Sequence, residues 1–477
     1  MLKNALPESK NAPHEALADD PNRLNLKDLA LAEIIHRAIE KGDGWIGFDA
    51  FMALALYTPW LGYYAHGSNQ FGTLPADAMR DRSVGGAGSE GSEGSDFVTA
   101  PEMTPLFGQT LATQVAQALQ ATHTAEVWEF GAGTGALALQ ILDELARLQV
   151  PLARYTIVDL SGSLRARQQQ RLLAYGDTVR WADALPGQMQ GVVVGNEMLD
   201  AMPVKLLARK NGVWFERGVA LARPDTSGAC AAQASPLLDP AHCARDGFGT
   251  IDADATLAPS LAWADRPTDL RPPLEVAGPH DYLTEIHPQA EAFIRTLADR
   301  LTHGAAFFLD YGFPEAEYYH PQRHMGTVMC HRQHRADPNP LTDAGLKDIT
   351  AHINFTGLAM AGQDAGLDVL GYCTQARFLM NCGLLAKIEN ARMADKVMAQ
   401  KLIMEHEMGE LFKVIGFVKR KLPDGLADGL ADGLADGLAD GLAGRLGGES
   451  SGGPSGGLAG EPWEPMGFAQ GDRTHTL

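Results

Sequence analysis

The stretch that most restricts the fold is residues 125–139, AEVWEFGAGTGALAL. An apolar strand, a glycine-rich turn and a helix in this order are typical of α/β proteins that bind a nucleotide-type ligand at the turn. Gly131, Gly133 and Ala136 match the G-x-G-x-x-G/A pattern of dinucleotide-binding turns. Gly135 makes the same turn E-x-G-x-G-x-G, a pattern that receives S-adenosylmethionine. The turn alone therefore leaves both ligands open, and a merely structural tight turn as well.

Glu129 helps to choose between the two ligands. It lies two residues before Gly131, at the end of the predicted strand, where the glycines let the backbone approach a ligand closely. The ammonium and sulfonium groups of S-adenosylmethionine are cations that a carboxylate attracts, whereas a pyrophosphate beside Glu129 would be repelled. The sequence therefore favours S-adenosylmethionine as the cofactor.

Alternation of strands and helices continues after this turn. Short apolar runs are separated by helical segments of about ten residues, which predicts crossover units and a parallel sheet. AAFFLDYGF is a further buried strand, and we predict that residues 411–419 pair with 465–472 in a terminal antiparallel hairpin. The fold class expected is α/β, with a Rossmann-like sheet of about seven strands, mostly parallel, ending in that hairpin.

Composition divides the chain into ordered and low-complexity segments. A helical region is predicted to precede an α/β domain, and three segments rich in Gly, Ser, Asp or polar residues are predicted to be a disordered tail and two flexible insertions. The predicted segments are a tail at 1–25, a helical lid region at 26–124, a main domain at 125–422 plus 461–477 with an insertion at about 205–280, and flexible insertions at 76–95 and 423–460.

Charge and cysteine content restrict the partners and the compartment. The net charge of −20 disfavours nonspecific binding to nucleic acids and favours a cationic ligand or a basic protein segment. The five cysteines form no C-x-x-C pair, which indicates a reducing compartment and no metal cluster. No apolar run is long enough to span a membrane, and the polar N-terminus resembles neither a signal nor a transit peptide. We therefore predict a cytoplasmic location.

Acidic residues follow the next two predicted strands. Asp159, in TIVDLS, lies at the end of the second predicted strand and can accept both hydroxyls of a ribose, although a helix N-cap is the alternative. Asp183, in WADAL, follows the third strand, at a place where a side chain that recognises adenine commonly lies. Both positions support a nucleoside ligand without distinguishing the two cofactor classes.

The fourth predicted strand runs into GNEMLDAMPV. It brings Asn196, Glu197 and Asp200 to the sheet edge where open α/β sheets bind ligands. The residues around the two carboxylates are apolar, so a solvated surface is a poor explanation of them. The pair could hold a guanidinium group through bidentate hydrogen bonds, or it could cap the next turn.

Several of these segments together resemble a known family. SDFVTAPE, EFGAGTGAL, VDLSGSLRARQ, GNEMLDAMPV, FFLDYG and DITAHINF, in this order, are similar to the MidA-like family of class I S-adenosylmethionine-dependent methyltransferases. The resemblance covers about residues 28–420 and 461–477. It implies a class I methyltransferase sheet and methylation of an arginine on a partner protein, as mitochondrial members are implicated in complex I assembly through an arginine of one of its subunits. The alternatives are a non-catalytic assembly factor that binds the cofactor and a nicotinamide-dependent oxidoreductase.

The resemblance also implies roles for individual residues. It assigns the cofactor to Gly131, Gly133, Gly135 and Asp159, the substrate edge to Glu197 and Asp200, and a lid over the cofactor to Thr99, Pro101 and Glu102. His352 is similar to a substrate-side histidine, with a structural histidine as the alternative. The chain departs from the family at Asn354, where an Asp is usual, so no charge role is assigned there.

Overall fold

The computed structural model of the protein describes residues 21–65, 99–159, 162–222, 260–332, 335–420 and 463–477. The predicted flexible insertions 76–95 and 423–460 lie outside the described residues, as does most of the predicted tail. Helix α1 begins at Pro21, which lies inside the segment for which that tail is predicted.

The α-helices of the described residues are α1 (Pro21–Lys41), α2 (Phe48–Tyr57), α3 (Ala100–Met103), α4 (Leu106–Ala121), α5 (Ala136–Arg147), α6 (Gly162–Arg171), α7 (Pro288–Arg300), α8 (Glu315–Tyr318), α9 (Phe355–Asp364), α10 (Gln375–Asn381), α11 (Leu384–Glu389) and α12 (Met393–Ile403). The strands are β1 (Ile46–Gly47), β2 (Glu126–Phe130), β3 (Arg154–Val158), β4 (Val179–Ala182), β5 (Met189–Asn196), β6 (Lys205–Lys210), β7 (Val213–Leu221), β8 (Leu261–Pro267), β9 (Tyr282–Ile286), β10 (Leu301–Phe313), β11 (Met329–Arg332), β12 (Arg335–Asp337), β13 (Asp348–Thr350), β14 (Ile353–Asn354), β15 (Asp368–Thr374) and β16 (Phe412–Lys419).

The largest sheet of the described residues has eight strands. Seven follow the order β15-β16-β10-β5-β2-β3-β4, and the short β14 pairs with the end of β10. The pairs β10–β5, β5–β2, β2–β3 and β3–β4 are parallel, and β16 is antiparallel to both of its neighbours. Val192, Val193 and Val194 of β5 are fully buried because helices cover both faces, which is typical of parallel sheets. This arrangement confirms the predicted α/β class, with a mostly parallel sheet and an antiparallel final pair.

The predicted terminal hairpin is wrong in one strand. β16 pairs with β15, and residues 466–468 form a short 3₁₀ helix instead of a strand. The alternation of Met466 and Phe468 that indicated a strand has another cause. Phe468 is 6% exposed and packs where Gly371 and Gly416 leave room: a β-carbon added at Gly371 would lie 2.3 Å from its ring.

Hydrogen bonds also attach this terminal segment to the sheet. Gly467 N donates to Gln114 Oε1 at 2.6 Å, and Arg473 N donates to the carbonyl oxygen of Tyr372 at 2.6 Å. Removing residues 463–477 should therefore lower the free energy of unfolding by at least about 2 kcal/mol, the contribution of one buried Phe. Thermal unfolding measures the loss.

The control for this truncation is deletion of residues 427–458, which removes the DGLA repeat and none of these contacts. Loop length changes stability by only about 0.6 kcal/mol per doubling, so this variant should melt near the wild-type temperature. A wild-type melting temperature for the truncated chain would show that the terminal contacts do not contribute.

A second, antiparallel sheet combines strands of the region predicted as an insertion with β1 from the N-terminal region and with β9, which directly follows that region. Its strands run in the order β1-β7-β6-β9, with β8 beside β7, and a small third sheet has the order β12-β11-β13. Helices α1 and α2 pack against these strands through a core that includes Phe48, Phe51, Leu206 and Ile349. The N-terminal helical region is therefore fixed to the same elements that follow β5.

Candidate active site

A cavity of about 1800 Å³ lies at the carboxyl ends of the parallel strands. This edge is where open α/β sheets bind ligands, because the strand ends and the following turns converge there. The cavity is lined by α2, by α3, by the ends of β2 to β5 and β10, and by segments 323–331 and 348–352. Twelve of the thirteen predicted site residues line it: Thr99, Pro101, Glu102, Glu129, Gly131, Gly133, Asp159, Asp183, Asn196, Glu197, Asp200 and His352.

The glycine turn after β2 adopts the conformation that only glycine takes without strain. Gly131, Gly133 and Gly135 have φ values of 66°, 53° and 82°. A β-carbon on Gly131 would lie 3.0 Å from the β-carbon of Met198. Gly135 is the one predicted residue that does not line the cavity: it is the N-cap of α5 and lies against Gln168.

Glu129 lies at the end of β2 with only 1% of its surface exposed. The hydroxyl of Tyr155 donates a hydrogen bond of 2.6 Å to Glu129 Oε2. Burial raises the pKa of Glu129 to about 7, although the bond from Tyr155 opposes the shift. Glu129 therefore needs a cation beside it to be fully ionised near neutral pH.

Asp159 and Asp183 lie at the ends of the next two strands. Gln168 Nε2 donates to Asp159 Oδ2 and to the carbonyl oxygen of Gly133, both at 2.8 Å, so one side chain joins the turn to the second strand. Asp183 forms an ion pair with Arg165 and its side chain is 78% exposed. Asp159 is thus held in place by its neighbours, whereas Asp183 lies at the rim of the cavity.

The predicted lid is tied to both sides of the cavity. Glu102 of α3 accepts hydrogen bonds from Arg171, at 2.8 Å, and from the hydroxyl of Thr134 in the glycine turn. Ala100 N donates to Glu197 Oε1 at 3.4 Å, and the carbonyl oxygen of Pro101 accepts from Gln140 Nε2 at 2.7 Å. The segment that contains Thr99, Pro101 and Glu102 therefore connects the glycine turn with the end of β5.

Glu197 follows β5 in a left-handed conformation with φ of 49°. A non-glycine residue in this region stores about 1–3 kcal/mol of strain and is common at functional sites. Asn196 Nδ2 donates to Glu197 Oε1 at 3.1 Å, while Asn196 Oδ1 is buried and has no hydrogen-bond partner within the described residues. The end of β5 thus presents a carboxylate and an unsatisfied amide oxygen to the cavity.

Asp310 organises the turn after β5, and sequence reasoning missed it. Its Oδ2 accepts hydrogen bonds from Leu199 N at 3.0 Å and Asp200 N at 3.2 Å, and the next residue, Tyr311, donates from its hydroxyl to Asp200 Oδ2 at 2.5 Å. An Asp-Tyr pair at the end of the apolar run FFLDYG was the available signal.

The carboxylates at this edge share an electrostatic environment. Burial and the charge of Asp200 raise the pKa of Glu197 to about 7, and burial also raises the pKa of Asp200. The pKa of Asp310 lies well above its usual value, through burial and the charges of these two neighbours. In the described parts of the chain no Lys, Arg or His forms an ion pair with any of the three, or with Glu129. Buried carboxylates without cations are costly, so the cavity is suited to a positively charged ligand.

His352 lines the cavity and lies in the chain between β13 and β14. Its ring contacts Tyr311 and Phe313 edge-on, with centroids 5.1 and 5.3 Å apart, and its Nδ1 is buried without a hydrogen-bond partner in the described chain. Burial lowers the pKa of His352 to about 4, so the ring is neutral near pH 7. Asn354, where the family usually has Asp, is the N-cap of α9 and accepts from Gly357 N at 3.3 Å.

The N-terminal region and β13 supply lining residues that were not predicted as site residues. Tyr57 of α2, Tyr64 of the following 3₁₀ turn and Asp348 of β13 all line the cavity. The aromatic segment LGYY was a signal for such a wall, but nothing in the sequence paired it with Asp348.

Among the described helices, none combines the length and the apolar character needed to cross a membrane.

Comparison with known proteins agrees with this geometry. Residues 110–373 match the model of a family described as putative S-adenosyl-L-methionine-dependent methyltransferases. A crystal structure of a methyltransferase-like protein from Burkholderia thailandensis bound to S-adenosyl-homocysteine is 39% identical, with a TM-score of 0.71, over 97% of this chain and 100% of that one. A native structure from the same organism is 38% identical, over 97% of this chain and 100% of that one, with a TM-score of 0.70.

Curated relatives are more distant. A Caenorhabditis elegans protein named protein arginine methyltransferase NDUFAF7 homolog, mitochondrial, is 23% identical over 76% of this chain and 80% of its own length. The Danio rerio protein arginine methyltransferase NDUFAF7, mitochondrial, is 23% identical over 81% and 83%. The predicted cytoplasmic location is wrong by this comparison, because the names of these relatives state a mitochondrial location.

The fold, the site and the comparisons lead to one assignment. The left-handed glycine turn and the carboxylates without ion-pair partners suit a nucleoside that carries positive charge, as S-adenosylmethionine does. The similar crystal structure from Burkholderia thailandensis is bound to S-adenosyl-homocysteine, the demethylated form of S-adenosylmethionine. The predicted cofactor, S-adenosylmethionine, and the predicted resemblance are therefore confirmed. This chain belongs to the family of S-adenosyl-L-methionine-dependent methyltransferases.

Proposed function

We propose that the protein transfers the methyl group of S-adenosylmethionine to the guanidinium group of an arginine on a partner protein. The observation that carries the proposal is a set of carboxylates without ion-pair partners among the described residues. Glu129 and Asp200 are buried and Glu197 is partly buried at the cavity, and the buried Asp310 lies directly behind Asp200. If the cationic cofactor binds beside Glu129, the carboxylates of Glu197 and Asp200 after β5 are still free to bind a second cation, which we propose is the acceptor guanidinium. The names of the curated relatives, which specify arginine, support this choice of acceptor.

The cofactor side is assigned from the residues that fit a cationic nucleoside. Glu129 and the unsatisfied Oδ1 of Asn196 would bind the ammonium group, and Asp159 would accept the ribose hydroxyls. Gly131 and Gly133 allow close approach of the backbone. The remaining cofactor residues in the proposal are Asp183, for the adenine, and the lid residues Thr99, Pro101 and Glu102, with Gly135 holding the start of α5.

Bound S-adenosylmethionine supplies an electrophilic methyl group on its sulfonium. A guanidinium nitrogen forms the new N–C bond as the C–S bond breaks, and a proton leaves the nitrogen during or after transfer. Positioning contributes most of the acceleration, because reacting atoms held about 3–3.5 Å apart avoid a large entropic cost. Glu197 and Asp200 would orient the guanidinium through charge-assisted hydrogen bonds.

The pKa values of Glu197 and His352 indicate which group accepts the proton that leaves the guanidinium. A carboxylate with a pKa of about 7, as at Glu197, is a better base than an ordinary glutamate, whereas burial makes His352 a weaker base than an ordinary histidine. We therefore assign the proton to the Glu197–Asp200 pair. His352 is proposed to contact the acceptor through its unpartnered Nδ1.

The partner protein can be found by labelling. The purified protein is incubated with radiolabelled S-adenosylmethionine and a lysate from cells that lack it, and labelled residues are identified by mass spectrometry. We expect methylarginine in one or a few proteins, and a subunit of respiratory complex I is the first candidate because of the family resemblance. Label on lysine or on small molecules alone would contradict the proposal, and cofactor binding without any transfer would favour the non-catalytic assembly factor.

Cofactor affinity should depend on pH in a defined direction. The pKa of Glu129, on the cofactor side of the site, is raised to about 7, so below that pH its carboxyl holds a proton and binds a cation poorly. The dissociation constant for S-adenosylmethionine should rise as pH falls below 7, by up to about tenfold per pH unit for one group, and should level off above pH 8. For folding of the protein without ligand the sign is opposite. The stability contributed by Glu129 and Glu197 is present below about pH 4.5 and is lost as pH rises through 7.

Titration calorimetry between pH 5.5 and 8.5 measures this dependence. Glu129→Gln should flatten the profile, since it removes one of the titrating groups. Glu144→Gln is the matched control, because Glu144 is a buried glutamate on α5 that pairs with Arg147 and Lys387 and does not line the cavity. A wild-type affinity that is constant across this range would refute a role for the protonation of Glu129 in cofactor binding.

A further inference from the structure

Two tyrosines of the N-terminal region lie beside the carboxylates of the proposed acceptor site. The rings of Tyr57 and Tyr64 are stacked, with centroids 5.7 Å apart and an interplanar angle of 23°. Tyr64 donates from its hydroxyl to Asp348 Oδ1 at 2.8 Å, and Tyr57 donates to the carbonyl oxygen of Ala201 at 2.8 Å. The hydroxyl groups are thus engaged in bonds that hold both rings in place.

The two tyrosines lie within reach of carboxylates from two separate elements. Asp200 follows β5 and Asp348 begins β13, and Ala351 N donates to the carbonyl oxygen of Asp200 at 3.0 Å, which fixes these elements side by side. Burial and the charges of both aspartates raise the pKa of Tyr64. Tyr64 thus bonds to Asp348 itself, and Tyr57 bonds to the backbone of Ala201, the residue after Asp200.

A third ring completes the arrangement. Tyr311 donates to Asp200 and stands edge-on to His352 at the end of β10. The five residues Tyr57, Tyr64, Asp200, Tyr311 and Asp348, which we name the acceptor cage, all line the cavity. They come from five elements, so the cage exists only in the folded chain.

We propose that the acceptor cage selects a guanidinium over an ammonium group, and that Tyr57, Tyr64 and Asp348 are its specificity-determining residues. This inference rests on the proposed function and extends it to residues outside the methyltransferase sheet. A planar, delocalised guanidinium stacks on aromatic faces and binds carboxylates in bidentate geometry, whereas an ammonium is a compact, strongly hydrated cation. Aromatic rings with the carboxylates of Asp348 and Asp200 lining the same cavity suit a guanidinium group.

The scaffold around the cage is rigid enough to support such selection. Phe48, Phe51 and Met52 on α2 are fully buried in the core shared with the second sheet, which fixes the position of Tyr57 on the same helix. Binding groups held by a packed element lose little entropy when a ligand binds. The N-terminal helical region therefore acts in acceptor recognition.

The test measures binding rather than turnover, because the protein substrate is not identified. Full-length protein saturated with S-adenosylhomocysteine is titrated with agmatine, which carries a guanidinium group, and with 1,5-diaminopentane, which carries an ammonium group instead. We expect agmatine to bind at least about tenfold more tightly. Asp348→Asn, Tyr64→Phe and Tyr57→Leu should each weaken agmatine binding about tenfold and leave the affinity for S-adenosylhomocysteine unchanged.

Two control variants carry the same types of substitution, Tyr→Phe and Asp→Asn, at residues that do not line the cavity. Tyr175→Phe removes a hydroxyl that donates to Asp143, and Asp343→Asn removes an exposed carboxylate that pairs with Arg332. Both should bind agmatine as the wild type does. Melting temperatures of all variants show whether any loss of binding comes from unfolding, and Tyr64→Phe, which retains the ring, is the variant least exposed to that problem.

The outcomes separate this inference from the proposed function. Wild-type agmatine affinity in Asp348→Asn and Tyr64→Phe, or equal affinity for the two amines, overturns the cage even if labelled arginines are found in proteins. Agmatine binding that is weakened by the cage substitutions supports the inference that the cage selects a guanidinium. This result would hold even if the labelling experiment found no methylarginine, and only the proposed function would then be refuted.

Discussion

Gly131→Val should abolish detectable binding of S-adenosylmethionine. The φ of 66° at this position strains any side chain, and a β-carbon there would lie 3.0 Å from Met198, in the space beside the turn that lines the cavity. We expect a loss of at least about a hundredfold in affinity, or about 2.7 kcal/mol. Calorimetry and the ligand-induced rise in melting temperature both measure the loss, since a ligand that binds only the native state stabilises it.

The control for this change is Gly212→Val. Gly212 also has a left-handed φ, of 80°, in the turn between β6 and β7, but a β-carbon there would meet nothing within 4 Å. The control variant should therefore lose stability through strain and still bind the cofactor. Nicotinamide dinucleotides should not raise the melting temperature of the wild type. A normal shift with S-adenosylmethionine in Gly131→Val would remove the turn from the binding site.

Glu197→Gln and Asp200→Asn should leave cofactor affinity nearly intact and slow methyl transfer by tenfold to a thousandfold. Each change removes the charge that orients the acceptor and keeps the volume of the side chain. One charge-assisted hydrogen bond of about 1.5–3 kcal/mol accounts for most of that range, and disturbed geometry for the rest. Because Asp200 also accepts the hydroxyl of Tyr311, its replacement should raise the KM for the acceptor as well.

Single-turnover transfer to the labelled acceptor, measured beside the affinity for S-adenosylmethionine, separates these effects. The double variant should be little slower than the worse single variant, since groups that act together are not additive. Glu33→Gln and Asp368→Asn are the controls, because both residues form exposed ion pairs outside the cavity. Wild-type turnover in Glu197→Gln and Asp200→Asn would place the acceptor elsewhere.

The cofactor side of the site was accessible from the sequence because its signals are local. Glu129 and the glycines of the turn lie within seven consecutive residues, and each of Asp159, Asp183 and Asn196 directly follows or ends a short apolar run. In a parallel sheet the carboxyl ends of the strands meet at one edge, so recognising the strands suffices to bring these residues together. The third glycine lies behind the cavity because it caps α5.

The terminal segment shows where local pattern fails. Alternating apolar residues at 466 and 468 indicated a strand, but Pro465 and Gly467 weaken a strand and Phe468 fills a site left by two glycines of other strands. Gly371 and Gly416 are distant in sequence from Phe468, and the residues around them do not indicate that an aromatic ring packs against them. The strand that does pair with β16 is β15.

The sequence by itself determined the α/β class, the glycine turn, the cofactor and the acidic residues at the strand ends. Each of these follows from the period of apolar residues, from the conformational freedom of glycine or from charge within a short segment. Only the tertiary structure showed which residues surround the proposed acceptor site. Tyr64 and Asp348, which share a hydrogen bond, are 284 residues apart, and Asp310 holds a turn 110 residues before it. Such contacts arise from the packing of separate elements, which no local spacing encodes.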